Sequence, residues 1–321
     1  MSATRIPRVA VIGAGIAGIA CARSLAAAGL SCTVFEKSRG AGGRATTRRL
    51  DGASFDHGAP FIGPPEPGED VPLEAWLASG LVASWRPAGA GADRLVAVPG
   101  MSALAGSLAA GLEIRTGVRI VGVERQEHGW WLTHEGSGGC GGFDAVVAAV
   151  PAPQAAPLLV AAPELAERAA AVRFAPRWAA MFAFDRPLAA AVDVDEPAEG
   201  GLAMLVRDSA KPGRPPGERW VAHATTSWSA VHLEDDAATV AALLLDALRA
   251  RLGVPVPEPH VAMAHRWRWA EPATTVGAPF LLAPPLGLGA CGDWCTGGRI
   301  AGAWTSGSAL ATALVAGLAG R

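Results

Sequence analysis

Val9-Ala-Val-Ile12, then Gly13-Ala-Gly15-Ile-Ala-Gly18, then Val34-Phe35-Glu36 and Gly42-Gly43-Arg44 follow one another near the start of the chain, and that order decides the fold. A β-branched strand enters a tight turn whose glycines let the backbone approach a pyrophosphate. The helix behind it offers its free N–H groups and positive dipole end to that anion. The apolar run Ile16 to Ala28 ends at Gly29, which suits the left-handed residue just beyond a helix. Glu36 closes the second strand, where a carboxylate accepts hydrogen bonds from both ribose hydroxyls and repels a 2′-phosphate. The stretch reads as a Rossmann-like site for FAD, with Gly13, Gly15, Gly18, Glu36, Lys37, Gly43 and Arg44 as cofactor-binding residues. A second match to the glycine spacing, Gly287-Leu-Gly289-Ala-Cys-Gly292, runs straight into Asp293-Trp294-Cys295-Thr296-Gly297-Gly298. It leaves no room for the required helix, so it is not read as a second dinucleotide turn.

Outward from this core, Val118 to Glu124, Trp130 to His134 and Phe143 to Ala149 read as three short strands of a β-meander joined by Gly-rich turns. Asp144 to Val150 then returns to the nucleotide sheet as a buried strand, ended by Pro151. Trp178 to Phe184, Trp220 to Trp228 and Val261 to Trp269 predict strands of a second unit. A helix from about Asp236 to Leu252 joins them, with acids at its start and Arg249 and Arg251 at its end to suit the dipole. Gly302-Ala303-Trp304 is expected to open the last helix. The fold class is α/β: a Rossmann-like FAD-binding domain of parallel sheet plus meander, discontinuous over 1–58, 98–155 and 283–321, with an α+β substrate domain of mixed or antiparallel sheet over 59–97 and 156–282.

Composition excludes several classes. The 321 residues carry a net charge of −2, which provides no basic footprint for nucleic acid. No run of about 18 strongly apolar residues occurs, since Ala301 to Leu318 is interrupted by Thr305, Ser306, Gly307, Ser308 and Thr312; no membrane span is expected. The first strand begins at about Val9, too early for a signal peptide, so the expectation is a cytoplasmic protein. Cys21, Cys32, Cys140, Cys291 and Cys295 lack a metal-ligand rhythm and read as thiols; Cys291 and Cys295 are core or site-lining residues, with redox activity as the alternative. No metal site is expected.

Specific motifs lie outside the nucleotide turn. Phe35-Glu-Lys-Ser-Arg-Gly-Ala-Gly-Gly-Arg44, Val98-Pro-Gly-Met-Ser-Ala103, Pro151-Ala-Pro-Gln154, Ser209-Ala-Lys-Pro-Gly-Arg214, His223-Ala-Thr-Thr-Ser-Trp228, His265-Arg-Trp267 and Cys291-Gly-Asp-Trp-Cys295 through Gly302-Ala-Trp304 together resemble the bacterial renalases, within the flavin amine-oxidase-like group. The resemblance spans nearly the whole chain. It implies oxidation of the 2-dihydro and 6-dihydro isomers of NAD(P)H by FAD, with electrons passed to O2 to give H2O2. It also implies Arg44 beside the FAD pyrophosphate or flavin edge, Asp293 on the ribityl and pyrophosphate region, and Val118 in the cofactor set. The helix at Gly302, Ala303 and Trp304 would aim its N-terminus at the flavin pyrimidine. The chain departs from the family in Pro60-Phe61-Ile62, in Leu95 and Trp269, and in lacking tyrosine altogether.

Along the expected strand from Trp220, residues alternate so that His223, Thr225 and Ser227 share the polar face, which makes that face the candidate substrate wall. His265, Trp267 and Trp269 share one side of the other strand, opposite Arg266 and Arg268. His223, His265 and Trp267 are therefore the candidate catalytic residues. Trp304 is equally readable as core packing, and Lys211 and Arg214 as solvated loop charges, with a phosphate grip as the alternative. No Ser-His-Asp set, metal cluster or paired carboxylates appears, and hydride transfer from a dihydronicotinamide needs none. The rival readings are a flavin amine oxidase acting on a small amine, a lipid or porphyrinogen desaturase, and a non-catalytic FAD-binding redox sensor. Monomer and homodimer both stay open.

Overall fold

The computed structural model describes residues 5–89, 91–197 and 200–319. Six strands form the nucleotide sheet in the order Leu281–Ala283, Leu288–Ala290, Ala145–Ala148, Arg8–Ile12, Ser31–Glu36 and Glu113–Thr116. All neighbours run parallel except the edge strand Leu281–Ala283, which is antiparallel to Leu288–Ala290. The interior strands are short, continuous apolar runs because both faces are covered: Val9, Val11, Val34 and Val147 pack toward the helices, and Ala10, Ile12, Phe35 and Val146 toward the meander.

Helix Ile16–Ala27 follows the first strand and crosses the terminal helix Arg299–Ala319 at close quarters. A Cβ at Gly307 would lie 2.1 Å from the Ala17 carbonyl oxygen, so only glycine permits this approach. The terminal helix is long and apolar enough to cross a membrane by length and composition. Here its apolar face, with Ile300, Ala303, Leu310 and Leu314, belongs to the core under the nucleotide sheet. It opens at Arg299, three residues before the Gly302 start that the sequence suggests, because Gly297 and Gly298 take positive φ and turn the chain early.

The meander comprises Ile120–Gln126, Gly129–His134 and Gly139–Phe143. Its third strand thus lies upstream of the expected Phe143–Ala149, in a Gly-rich stretch that carries little strand signal. A bend at Asp144, whose carboxylate accepts from the Arg8 backbone N–H at 2.7 Å, then releases Ala145–Ala148 into the parallel sheet.

A separate antiparallel sheet runs in the order Val194–Asp195, Leu202–Arg207, Glu218–Ala224, Phe174–Phe184 and Val261–Pro272. One face, with Trp178, Phe182, Trp220 and Ala222, is covered by helix Ala237–Leu252. That helix is capped by Asp236, which accepts from Ala238 and Thr239 N–H, and closed by Gly253 at φ +62. The opposite face, with Ala179, Met181 and Val221, packs against the hairpin Arg48–Leu50 and Ala53–Phe55. The expected strand through Trp228 stops at Ala224. Thr225 accepts from the Trp228 N–H and starts helix Thr226–Val231, which removes Thr225 and Ser227 from the candidate wall.

Candidate flavin and substrate site

Backbone builds the nucleotide end of the site. Gly13 has φ +104 and donates its N–H to the Phe35 carbonyl at 2.8 Å; a Cβ there would stand 2.6 Å from the Ala149 oxygen. A Cβ at Gly18 would fall 1.9 Å from the Gly13 oxygen, so this glycine lets the helix seat against the turn. Gly15, the N-cap, differs: a Cβ would meet no protein atom within 4 Å, so packing does not demand glycine there, and the position suits close approach of a pyrophosphate. The Gly42–Gly43 loop runs alongside, with Gly42 N–H donating to the Ala14 carbonyl at 2.8 Å and Gly43 taking φ +56.

Glu36 is 6% exposed and held by two backbone donors, Ala14 N–H at 2.8 Å and Ser38 N–H at 2.7 Å. Beside it opens a cavity of about 480 Å³ lined by Lys37, Ser38, Gly117, Val118, Arg119 and His134. The open glycine N-cap, the oriented carboxylate and this cavity fit the pyrophosphate, ribose and adenine parts of FAD in that order.

Arg44 and Asp293, assigned separate cofactor contacts from the sequence, meet each other. Arg44 donates through NH1 to Asp293 Oδ2 at 2.8 Å and to the Ala270 carbonyl at 2.7 Å, and through NH2 to Asp293 Oδ1 at 2.7 Å. This two-pronged pair fastens the glycine loop to the short helix Asp293–Thr296 and to the long strand Val261–Pro272. Gly302 and Ala303 are buried in the first turns of the terminal helix, where Gly302 leaves space taken by Thr296 and Glu69. Trp304 packs edge-on against Trp76 at 5.3 Å, as core packing requires.

The candidate substrate-side wall is assembled from three distant segments. Ala179 pairs with His223 on one neighbouring strand and His265 on the other, so the three side chains share a face, and Phe55 of the hairpin belongs to the same buried cluster as Ala179. His57, not singled out in the sequence, reaches over from the hairpin. Its ring centroid lies 4.9 Å from His265 and 5.2 Å from Trp267, and its carbonyl accepts from Trp267 Nε1 at 2.8 Å. His265 and Trp267 meet edge-to-face at 4.4 Å, whereas Trp269 turns to Phe174. His57 Nδ1 and His223 Nε2 have no hydrogen-bond partner among the described residues.

All three histidines are neutral at physiological pH. Burial, then the neighbouring His265 and Arg48, lower the His57 pKa to about 3; burial, Arg177 and Lys211 lower His223 to about 3; burial and Arg48 lower His265 to about 4. Arg266 and Arg268 stay on the other side of their strand, paired with Glu234.

Lys211 and Arg214 are neither solvated nor free to grip a ligand. Both are 0% exposed. Lys211 Nζ lies 3.1 Å from Asp56 Oδ2 and 2.5 Å from Asp208 Oδ1, and Arg214 donates to the same Asp56 oxygen and to the Ala97 carbonyl. Asp56 Oδ1 also accepts from the Thr47 hydroxyl at 2.6 Å and the Met101 N–H at 2.9 Å. Burial alone would raise the Asp56 carboxyl, but Lys211, Arg214 and these hydrogen bonds bring it down to about 2. Lys211, Arg214, Asp56 and Asp208 thus form a buried lock directly before His57, in which complete burial raises the Asp208 carboxyl against the pull of Lys211. The lysine is one of only two in the chain and follows Asp208 by three residues, which is the sequence signal for its burial.

Cys291 and Cys295 are buried thiols. Burial raises the Cys295 thiol to about 12, and a hydrogen bond with Cys21 and burial raise Cys291. Among the described residues no group of three His, Cys, Asp or Glu side chains is placed to hold a metal ion.

Residues 11–72 match the model of the NAD(P)-binding Rossmann-like domain, and residues 72–315, well over half the chain, match that of flavin containing amine oxidoreductases. The chain belongs to the flavin-containing amine oxidoreductase family. FAD is its cofactor. A curated relative, the 4,4′-diapophytoene desaturase of Staphylococcus aureus, is 41% identical over 64 residues, which are 20% of this chain and only 13% of the desaturase. Among solved structures, a putative protoporphyrinogen oxidase from an Exiguobacterium species superposes with a TM-score of 0.74 at 14% identity, covering 98% of this chain and 100% of that one. A triple mutant of putrescine oxidase gives a TM-score of 0.73 at 15% identity, covering 97% and 100%. At such identity these likenesses concern the fold.

Proposed function

We propose that this flavoprotein oxidises the 2-dihydro and 6-dihydro isomers of NAD(P)H to NAD(P)+, with O2 as the final acceptor and H2O2 as the product. One observation carries the reading: the substrate wall is a set of neutral imidazoles in a positive field. Arg48 is the cation there that no carboxylate among the described residues pairs, while the carboxylates joined to the wall, Asp56 and Glu271, are engaged by Lys211 and Arg214 and by Arg177. Such a wall repels an ammonium ion and suits a substrate that brings its own phosphates.

Bound FAD supplies a two-electron acceptor that takes a hydride and returns the electrons to oxygen. The chain supplies orientation and electrostatics. His265 and Trp267, set edge-to-face, offer a partly apolar corner for a planar ring, and His57 packs against both. A dihydronicotinamide becomes positively charged as hydride leaves, so imidazoles that stay uncharged do not oppose that charge, as imidazolium ions would. Arg44 and Asp293 fix the glycine loop to the strand that carries His265. No general base is needed, which agrees with three histidines that lie mainly buried.

Oxidation of a small amine is the second reading, favoured by the family itself. Against it stand the positive field and the absence of tyrosine, which removes the usual aromatic frame for an amine. The test is product stoichiometry in air. The dihydro isomers should yield one NAD(P)+ and one H2O2 per turnover, and a panel of amines should yield no peroxide; peroxide from amines alone would move the assignment to amine oxidation.

A further inference from the structure

Arg48 stands apart from the other arginines around the site. Arg44 is taken by Asp293, Arg177 by Glu271, Arg214 by Asp56 and Arg299 by Glu66. No acidic side chain pairs with Arg48 among the described residues, although it is only partly exposed. Its position in the hairpin says where it faces. Arg48 pairs with Phe55 and Leu50 with Ala53, so these four share one face of the two-stranded ribbon. Phe55, Leu50 and Ala53 pack on Ala179, Met181 and Val221 of the wall sheet, which puts Arg48 in the same row as its one charged member. From there its charge reaches both His57 and His265. A partly buried guanidinium with no counter-ion among the described residues leaves its planar fork of donors open to an anion.

We propose that Arg48 anchors a phosphate of the hydride donor, and so selects phosphate-bearing dinucleotides over the bare nicotinamide nucleoside. This rests on the dihydronicotinamide reading above and adds the residue that reads the phosphate. The planar fork of the guanidinium accepts two phosphate oxygens at once. The anchor sits at the edge of the wall that receives the ring, on the ribbon that leads through Asp56 into His57, so one rigid element positions both ends of the donor.

The experiment compares wild type, Arg48→Gln and Arg48→Lys, each checked for FAD content by its visible band. Anaerobic flavin reduction is titrated with 6-dihydro-NAD and with the corresponding 6-dihydronicotinamide riboside, which has no phosphate. Loss of a charged hydrogen bond should raise the half-saturating concentration of the dinucleotide about 10- to 100-fold in Arg48→Gln. The riboside should respond little, and Arg48→Lys should recover part of the difference. An equal response to dinucleotide and riboside, or none to either, overturns the proposal. If wild type is reduced by neither donor but by an amine, the proposed function fails by itself. Perturbation of the flavin spectrum by inorganic pyrophosphate then decides Arg48: present in wild type and lost in Arg48→Gln supports the anchor, and the same in both overturns it.

Discussion

The nucleotide cradle and the histidine wall hold their shapes by different means. The cradle is backbone: Gly13, Gly15, Gly18, Gly42 and Gly43 bring two loops together, and Glu36 is fixed by two N–H groups within a short span of chain. The wall is side chain: His57, His223 and His265 come from three separate segments and meet only because the sheet registers them around Ala179 and the Asp56, Lys211, Asp208 and Arg214 lock fixes the hairpin end. A backbone cradle tolerates changes of neighbouring side chains but not a Cβ. A side-chain wall tolerates changes of backbone detail but not an unbalanced charge.

The largest break in this contrast is expected at the lock. Lys211→Met leaves Asp56 and Asp208 buried with one cation between them and should cost about 3–5 kcal/mol in denaturant unfolding. Lys211→Met with Asp208→Asn restores charge balance and should recover much of that loss; equal instability of the single and double variants would contradict the lock. In the cradle, Gly18→Ala places a Cβ on the Gly13 oxygen and should cost about 1–3 kcal/mol and release FAD, seen as a fall in the ratio of visible to ultraviolet absorbance. Glu36→Ala should leave the apo fold intact and weaken FAD retention by about 1–3 kcal/mol, measured by FAD titration of the apoprotein.

The wall makes the gentlest prediction near neutrality. His57, His223 and His265 have folded pKa values near 3, 3 and 4, below the ordinary 6.5, so the unfolded chain binds protons that the folded chain refuses. Stability is full above about pH 7.5 and falls as pH drops through 6.5 toward 4, by about 1.4 kcal/mol per pH unit for each histidine once below 6. His223→Leu removes one contribution and should make the urea midpoint less steep with pH between 6.5 and 4.5; an unchanged slope would show that His223 is not held neutral.

The same contrast explains what could be read in advance. Glycine spacing, Glu36 and the strand and helix around them are local, and the parallel sheet, the helix capped by Asp236 and the separate antiparallel sheet follow from local patterns too. The common side of His265 and Trp267 on their strand was legible through strand alternation. His57 was not, because Phe55-Asp56-His57-Gly58 carries no periodicity and gains meaning only when the hairpin docks on the sheet. Lys211 and Arg214 misled because a loop rich in Pro and Gly signals solvent, while their burial depends on an aspartate about 150 residues away. The Thr225 cap defeated the alternation that ran on to Trp228, a local hydrogen bond overriding a strand pattern.

The most direct test of the central claim is anaerobic stopped-flow bleaching of the flavin band by 2-dihydro and 6-dihydro NAD(P), authentic NAD(P)H and small amines. The account predicts fast bleaching by the two isomers, slowed about tenfold or more in His265→Ala with FAD retained. Bleaching by amines alone, or a flavin silent to every donor, would contradict it.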